Sequence, residues 1–292
     1  KGLEVSYAEG YDMKSNQLTG LQEALQAAEA SDVIVVAVGE RFGQSGEKAS
    51  KVNIAIPEGQ QKLVSELAKT GKPVIALVMC GRPVIFNEIR EHADAVLCTW
   101  WLGSEAGNAI CNVLWGEYNP SAKLPMTFPA HVGQIPIYYQ NKSTGRPTAL
   151  KQTYKASYID ASTEPAYPFG YGLSYTDFGY SDLKLLPGKA AGVHTEVSVK
   201  VTNTGKCAGE EVVQLYVQDK VASVTRPIKE LKGFRKIHLN VGESKTVDFQ
   251  ITDDALGFYD NEMNYMVEPG DFVFMVGGSS DDVQQITYNL KE

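Results

Sequence analysis

The sequence has few of the residues on which metal sites, disulfide scaffolds and nucleic-acid surfaces depend. Its 292 residues include four cysteines and four histidines, and neither set has the spacing of a metal site. Lys and Arg number 27 against 35 Asp and Glu, giving a formal charge of −8 without any basic cluster, which argues against a nucleic-acid partner. No apolar run approaches the roughly 18 residues needed to span a bilayer. We therefore expect no bound metal, no cofactor and no membrane partner.

The four cysteines are Cys80, Cys98, Cys111 and Cys207. They lie too far apart for a Cys-x-x-Cys redox or metal motif. Cys80 and Cys98 end apolar runs, and Cys111 falls on the apolar face of a predicted helix. Because free cysteine behaves as a small hydrophobe, we predict that all four are buried structural thiols.

Apolar runs alternate with helical patterns from the start of the chain to about residue 130. The runs at 33–38, 73–79 and 93–99 do not alternate apolar with polar residues, which is typical of strands covered on both faces in a parallel sheet. This alternation predicts an α/β fold with a mostly parallel sheet and helices on both faces. The helical patterns lie at 19–30, 57–69 and 104–115.

The second half of the chain has a different periodicity. From about Tyr180 apolar and polar residues alternate with a period of two, and turn residues separate the runs. This pattern predicts an antiparallel immunoglobulin or fibronectin III-like sandwich of about 100 residues. The alternating runs lie at 194–202, 212–218, 236–239, 246–251 and 272–276.

A segment rich in proline and tyrosine connects the two halves. Because it is aromatic rather than rich in Ser and Gly, we expect it to pack against the folded domains rather than to act as a free tether. The predicted organisation is an α/β domain at 1–135, a packed connecting segment at 136–178 and a β-sandwich at 179–292. The segment includes Tyr138, Tyr139, Pro147, Tyr154, Tyr158 and Tyr167.

The loop that follows the first long strand is a candidate site. It occupies 39–50, contains three glycines and carries two carboxylates, Glu40 and Glu47. Ligands bind beyond the carboxyl ends of strands in sheets of this kind, and a flexible carboxyl there suits a general acid. Composition alone favours two ordinary solvated glutamates. A dinucleotide site is a weak alternative, since the glycines lack the G-x-G-x-x-G spacing.

Trp100 and Trp101 follow the third strand and are expected at the same end of the sheet. Aromatic faces at such a rim can stack on sugar rings, although one of the two tryptophans is expected to be structural. No G-x-S-x-G elbow, P-loop or H-E-x-x-H motif occurs in the sequence. The residues alone indicate an α/β domain followed by a sandwich, with a polar site at one end of the sheet.

Long ordered motifs run through most of the chain. They include Gly-Lys-Pro-Val-Ile at 71–75, Gly-Arg-Pro at 81–83, and the stretches 100–110, 113–125, 132–139, 141–147, 167–175, 201–205, 212–216 and 226–234. Up to 147 these motifs resemble the second domain of glycoside hydrolase family 3, and 132–147 is similar to the periplasmic β-glucosidases of that family. From 167 they resemble the family's fibronectin type III-like domain.

The resemblance implies part of a retaining β-glucosidase, which hydrolyses terminal non-reducing β-D-glucosyl residues. Enzymes of this type have an N-terminal barrel that carries the nucleophilic aspartate, and no segment here resembles the nucleophile motif. The family's acid/base comes from a loop of the second domain, and Ser-Gly-Glu-Lys-Ala-Ser at 45–50 is the closest match to it. Glu47 is therefore the predicted general acid/base, with Glu40 as the alternative. Trp100 and Trp101 are predicted substrate contacts.

The same resemblance implies the partners and location of the protein. The expected partners are a β-glucoside or oligosaccharide substrate and a family 3 barrel, and this chain is expected to be inactive on its own. The sequence begins at Lys1 without a leader, so it is expected to be a processed product or a fragment of something longer. The resemblance implies a periplasmic or secreted location. A surface that normally covers a barrel would leave an apolar patch, so self-association is also expected. The alternative function is a non-catalytic carbohydrate-binding or scaffold module.

Overall fold

The computed structural model describes residues 2–143, 145 and 157–291, which form two compact units. The first unit comprises Lys1–Leu114 and Phe128–Ile135, and the second comprises Trp115–Thr127 and Pro136–Glu292. Pro147 and Tyr154 of the connecting segment lie outside the described residues. Within the described ranges, no helix has both the length and the apolar character needed to cross a membrane. The domain boundaries at 135 and 178 stay a prediction.

The first unit contains a three-stranded parallel sheet. Its strands lie in the order β1-β2-β3, with Ile34 of β1 opposite Val74 of β2 and Ile75 of β2 opposite Ala95 of β3. The prediction of an α/β fold with a parallel sheet is confirmed. The elements are α1 (Leu21–Glu29), β1 (Ile34–Gly39), α2 (Glu58–Ala68), β2 (Val74–Met79), α3 (Asn87–His92), β3 (Ala95–Cys98) and α4 (Ala106–Leu114).

The prediction that helices cover both faces of this sheet is wrong. Val74, Ala76 and Val78 of the central strand are fully buried, but Val35 on β1 is 47% exposed. When the spatial order of parallel strands follows their sequence order, right-handed crossovers place the connecting helices on the same face of the sheet. In agreement with this rule, α2 packs against both α1 and α3. The opposite face has no covering layer at β1 within the described chain.

The prediction of four buried cysteines is also wrong. Cys80 is buried, whereas Cys98 and Cys207 are half-buried and Cys111 is exposed. Cys111 lies on α4, an amphipathic helix of which no residue is buried. Its apolar positions have the predicted periodicity, but Ala106, Ile110, Val113 and Leu114 are half-buried rather than buried. Periodicity identified the helix and its apolar face, and it carried no information about what packs there.

The second unit contains a sandwich of two antiparallel sheets, which confirms the fibronectin III-like prediction. One sheet has the order β12-β11-β6-β7 and the other has the order β4-β5-β8. Inward-facing Val197 and Val199 of one sheet and Val213 and Leu215 of the other belong to the same buried cluster. The strands are β4 (Phe178–Pro187), β5 (Val193–Asn203), β6 (Gly209–Asp219), β7 (Glu230–Leu239), β8 (Ser244–Thr252), β9 (Phe258–Tyr259), β10 (Tyr265–Met266), β11 (Gly270–Gly277) and β12 (Val283–Leu290), with a short helix α5 (Asp253–Leu256) after β8.

Described residues of the connecting segment pack on the sandwich. The ring of Tyr139 stacks on Phe169 with centroids 4.4 Å apart and meets the buried Tyr216 edge-on at 5.6 Å. The backbone N–H of Leu231 donates to the Tyr139 hydroxyl at 3.3 Å. Aromatic pairs of this geometry add to the apolar burial, so this part of the segment is integral to the second unit.

The motif at 201–205 forms a hydrogen-bonded turn rather than a binding site. The buried Asn203 amide donates to the carbonyl oxygens of Cys207 at 2.8 Å and Leu239 at 3.0 Å. Its oxygen accepts from the Thr176 hydroxyl at 2.7 Å and the Gly205 N–H at 3.1 Å. One side chain therefore satisfies four polar groups of the surrounding chain.

We expect Asn203→Ala to lower the free energy of unfolding by roughly 2–4 kcal/mol, because it leaves several buried polar groups unpaired. Urea denaturation followed by circular dichroism measures this change. Asn289→Ala is the matched control, since Asn289 is exposed on β12 and is expected to change stability by less than about 0.5 kcal/mol. Equal effects of the two substitutions would contradict the role assigned to Asn203.

Candidate functional site

The predicted site residues lie on segments that leave one edge of the parallel sheet. Glu40 and Glu47 follow β1, while Trp100 and Trp101 follow β3. Because the three strands are parallel, their carboxyl ends meet at the same edge, where ligands bind in sheets of this kind. The segment after β2, which begins at Cys80, reaches the same edge.

Gly39 fixes the start of the loop at 39–50. Its φ is +134°, and a Cβ at this position would collide with the carbonyl oxygen of Met79 on β2. The buried Gln60 side chain accepts from the Gly39 N–H at 2.7 Å and donates to the Gly39 carbonyl at 3.1 Å. The loop therefore leaves the sheet in one defined direction.

Glu40 is buried, with 2% of its side chain exposed. Its Oε1 lies 3.0 Å from Nε of Arg82 and 3.5 Å from Nζ of Lys51. Its Oε2 accepts from the backbone N–H of Gly81 at 3.2 Å. The carboxylate is thus engaged by partners on both sides and faces the interior of the unit.

Glu47 occupies a corner of a tight turn and is exposed. The Ala49 N–H donates to the Gly46 carbonyl at 3.2 Å, which closes a four-residue turn with Glu47 and Lys48 at its centre. Lys48 has a φ of +61°, the left-handed conformation that the third position of a type II turn requires. Among the described residues, the Glu47 carboxylate has neither a hydrogen bond nor an ion pair.

Arg82 holds the two sides of this turn together. Its Nη2 donates to the carbonyl oxygen of Gln44 and, at 2.8 Å, to that of Ala49. The same guanidinium forms the ion pair with Glu40. A planar guanidinium suits this task because its donors have a fixed geometry. The tip that carries Glu47 is therefore connected through Arg82 to the buried carboxylate of Glu40.

Trp101 provides a second attachment for the loop. Its Nε1 donates to the Ser45 hydroxyl at 2.9 Å, while 47% of the residue stays exposed. Both groups pass so close to Gly81 that a Cβ there would collide with them. Trp100 is half-buried and meets the buried Phe128 edge-on at 5.7 Å. Trp100 thus packs within the unit, and Trp101 lies beside the loop.

Sequence reasoning did not identify Arg82 as part of this edge. The Gly-Arg-Pro motif at 81–83 was noted only for its resemblance to a family, without a role for its arginine. The available signal was its position directly after a strand that neighbours the strand leading to the loop. Its acceptors are backbone carbonyls, which every residue carries, so the contact leaves no pattern in the sequence.

The carboxylates of Glu40 and Glu47 have different environments. Glu40 is enclosed and paired, so it is unavailable to a molecule that approaches from outside. Glu47 is accessible on a loop whose base is held in place, which is the placement that a proton donor and acceptor needs.

No cluster of three or more His, Cys, Asp or Glu side chains suited to a metal ion occurs in the part of the chain that the structure describes.

Comparison with known proteins gives matches over the whole chain. Residues 3–175 match the glycosyl hydrolase family 3 C-terminal domain, and residues 211–280 match a fibronectin type III-like domain. A periplasmic beta-glucosidase of Salmonella typhimurium is 48% identical over 273 residues, covering 92% of this chain and 36% of that protein. A beta-xylosidase of Formosa agariphila is 42% identical over 292 residues, covering 99% of this chain and 40% of that protein.

Solved structures give the same result. The crystal structure of a beta-glucosidase from Listeria innocua in complex with glucose has a TM-score of 0.91 at 38% identity, covering 97% of this chain and 39% of that one. The chain thus spans less than half the length of the relatives it matches. The resemblance noted in the sequence is confirmed: the chain belongs to glycoside hydrolase family 3 and consists of its C-terminal α/β domain followed by the fibronectin type III-like domain.

Proposed function

We propose that this chain is the C-terminal part of a retaining β-glucosidase and that Glu47 is its general acid/base. The observation that carries the proposal is the exposed carboxylate of Glu47 at the tip of a loop tied down by Arg82. The loop lies at the carboxyl edge of the sheet, where sheets of this kind bind ligands. The 48% identical relative named a periplasmic beta-glucosidase supports the activity.

The proposed reaction is a double displacement that needs two carboxylates. A nucleophile outside this chain attacks the anomeric carbon while Glu47 protonates the departing glycosidic oxygen. Glu47 then takes a proton from the water that hydrolyses the glycosyl–enzyme intermediate. Retention of configuration requires the two carboxyl groups to lie about 5–5.5 Å apart, so Glu47 acts only when the nucleophile's domain is present.

Glu40 and the two tryptophans have separate roles in this proposal. Glu40 positions the loop, because its carboxylate is buried and engaged by Arg82, Lys51 and the Gly81 N–H. Trp101 is the substrate contact, since part of its ring stays exposed beside the loop and can stack on a sugar. Trp100 supports this edge by packing against Phe128, with a lesser contact to the substrate.

A β-xylosidase is the second candidate, because two relatives from Formosa agariphila at 42% identity are named beta-xylosidase and putative beta-xylosidase. A xyloside lacks the hydroxymethyl group of a glucoside, so the two activities differ in how the non-reducing sugar is recognised. In this family most contacts to that sugar are expected from the barrel, outside this chain. The proposed sugar preference therefore depends on residues outside this chain.

We expect this chain alone to hydrolyse neither 4-nitrophenyl β-D-glucoside nor the corresponding β-D-xyloside. A chimera that joins the N-terminal part of the Salmonella relative to this chain is expected to hydrolyse the glucoside. Release of 4-nitrophenolate measures both activities, and circular dichroism verifies that each protein is folded. Activity of the chain alone would contradict the placement of the nucleophile, and a folded but inert chimera would favour a non-catalytic carbohydrate-binding or scaffold module.

The proposed partners are a β-glucoside or oligosaccharide and the N-terminal domain of the same enzyme. The proposed location is the periplasm or the extracellular space, which the name of the 48% identical relative supports.

Self-association of the isolated chain stays a prediction. The exposed Val35 on β1 and the half-buried apolar positions of α4 are the surfaces on which it would depend.

A further inference from the structure

The carboxyl edge of the sheet contains a close pair of thiols. Cys80 directly follows β2, and Cys98 is the last residue of β3, its parallel neighbour. Their sulfur atoms lie 3.9 Å apart, which is van der Waals distance. In sequence the two cysteines are separated by 18 positions, so the pair exists only because the two strands are adjacent.

We propose that Cys80 and Cys98 form a disulfide bond when the protein meets a low-molecular-weight organic disulfide. A disulfide needs the two sulfurs at about 2.05 Å, so they must approach by less than 2 Å. Because Cys98 lies opposite Val78, two residues before Cys80, this movement needs a shift of the backbone at the strand ends together with side-chain rotation. Cys80 is the last residue before the loop that begins at Gly81, which leaves its backbone outside the regular hydrogen bonds of β2.

The two thiols have different surroundings and therefore different roles. Cys98 is half-buried, whereas Cys80 is fully buried. The pKa of Cys98 is lowered because its sulfur accepts a hydrogen bond from Cys80. That same hydrogen bond, together with burial, raises the pKa of Cys80. A half-buried thiol whose pKa is lowered by a neighbouring cysteine is an arrangement suited to an oxidisable pair.

The reaction is a thiol–disulfide exchange in two steps. The Cys98 thiolate attacks one sulfur of the small disulfide, forms a mixed disulfide and expels the first small thiolate. The Cys80 thiol gives its proton to the expelled thiolate, and the resulting Cys80 thiolate attacks the Cys98 sulfur. This attack expels the second small thiolate, which takes up from solvent the proton that Cys98 released. Two protein thiols and one small disulfide become one protein disulfide and two small thiols, and the protein loses two hydrogens.

The disulfide would join the two segments that secure the candidate site. Cys80 is two residues from Arg82, and Cys98 is three residues from Trp101. Arg82 and Trp101 are the side chains that hold the loop at 44–49. Oxidation would therefore stiffen the base of this edge, and closing a covalent loop between the two cysteines would stabilise the folded unit.

The test uses the chain with Cys111→Ser and Cys207→Ser, so that Cys80 and Cys98 are its two thiols. The reduced protein is treated with bis(2-hydroxyethyl) disulfide at pH 8, and intact mass and free thiols are measured in guanidinium. We expect a monomer about 2 Da lighter, both thiols lost, and a tryptic peptide of β2 linked to one of β3. The thermal midpoint should rise by roughly 5–10 °C and return on reduction.

Controls separate closure of the pair from simple modification. Adding Cys80→Ala to the same background removes the second thiol, so a stable adduct of one small thiol on Cys98 is expected instead of the mass loss. The unsubstituted chain is expected to give the same linked peptides, which guards against an effect of the serine substitutions. A persistent adduct with both cysteines present, a covalent dimer, or two unreacted thiols would each overturn the proposal.

Discussion

Replacing Glu47 by glutamine in the active chimera is expected to lower kcat/KM for 4-nitrophenyl β-D-glucoside by roughly 10²- to 10⁴-fold, the usual contribution of a general acid/base. Glutamine is nearly isosteric with glutamate, but it can neither donate nor accept the proton. Because Glu47 is exposed and has no partner among the described residues, the substitution should leave the thermal midpoint unchanged. Kinetics and circular dichroism on the same preparation measure both quantities.

The leaving group provides the diagnostic readout. A 2,4-dinitrophenyl glucoside departs without protonation, so Glu47→Gln should slow formation of the glycosyl–enzyme intermediate far less than with an unactivated disaccharide. Hydrolysis of the intermediate still lacks its base, so it should accumulate and give a burst of dinitrophenolate. Azide needs no general base, and added azide is therefore expected to restore turnover with formation of a glucosyl azide of retained configuration.

Glu23→Gln is the matched control for this experiment. Glu23 is an exposed glutamate in the first turn of α1 and does not belong to the loop at 39–50. Its substitution is expected to change neither kcat/KM nor the response to azide. A loss of less than tenfold for Glu47→Gln, without a burst or azide rescue, would contradict the acid/base assignment and leave the activity of the chimera itself standing.

Replacing Arg82 by methionine is expected to lower the free energy of unfolding by about 3–5 kcal/mol, the usual cost of removing one partner of a buried ion pair. The Glu40 carboxylate would stay buried with Lys51 at 3.5 Å as its remaining cation. The loop would also lose both carbonyl contacts, at Gln44 and Ala49. Trypsin should then cleave faster after the exposed Arg41 and Lys48, and chimera activity should fall by roughly 10–100-fold.

The double variant Arg82→Met with Glu40→Gln separates stability from loop positioning. It leaves no unpaired buried charge, so stability should recover in part, while the loop contacts stay lost and cleavage at 41 and 48 stays fast. Arg90→Met serves as the control, because Arg90 is exposed on α3. Unchanged cleavage in Arg82→Met would show that Trp101 and Ser45 suffice to hold the loop. Unchanged stability would contradict the anchoring role of Glu40.

The environments of the two glutamates illustrate how far a sequence predicts a site. Both stand in one glycine-rich loop, and composition treats them alike. Residue spacing placed this loop at the carboxyl edge, because the apolar run that ends at Gly39 reads as a parallel strand. It did not reveal that Lys51, Gly81 and Arg82 enclose the Glu40 carboxylate. These contacts form only when the neighbouring strand and the end of the loop are in place.

The sequence by itself determined the two fold classes, the order of the elements and the family of this protein. These depend on local periodicity, on turn residues and on ordered motifs, all of which are patterns of residues close together in the sequence. Tertiary structure alone decided that Cys80 and Cys98 meet, that Arg82 holds the loop, and that no described part of the chain covers one face of the sheet at β1. The physical reason is that these features bring together residues that are distant in sequence, through contacts to backbone carbonyls and through neighbouring strands. Such contacts leave no local pattern in the sequence.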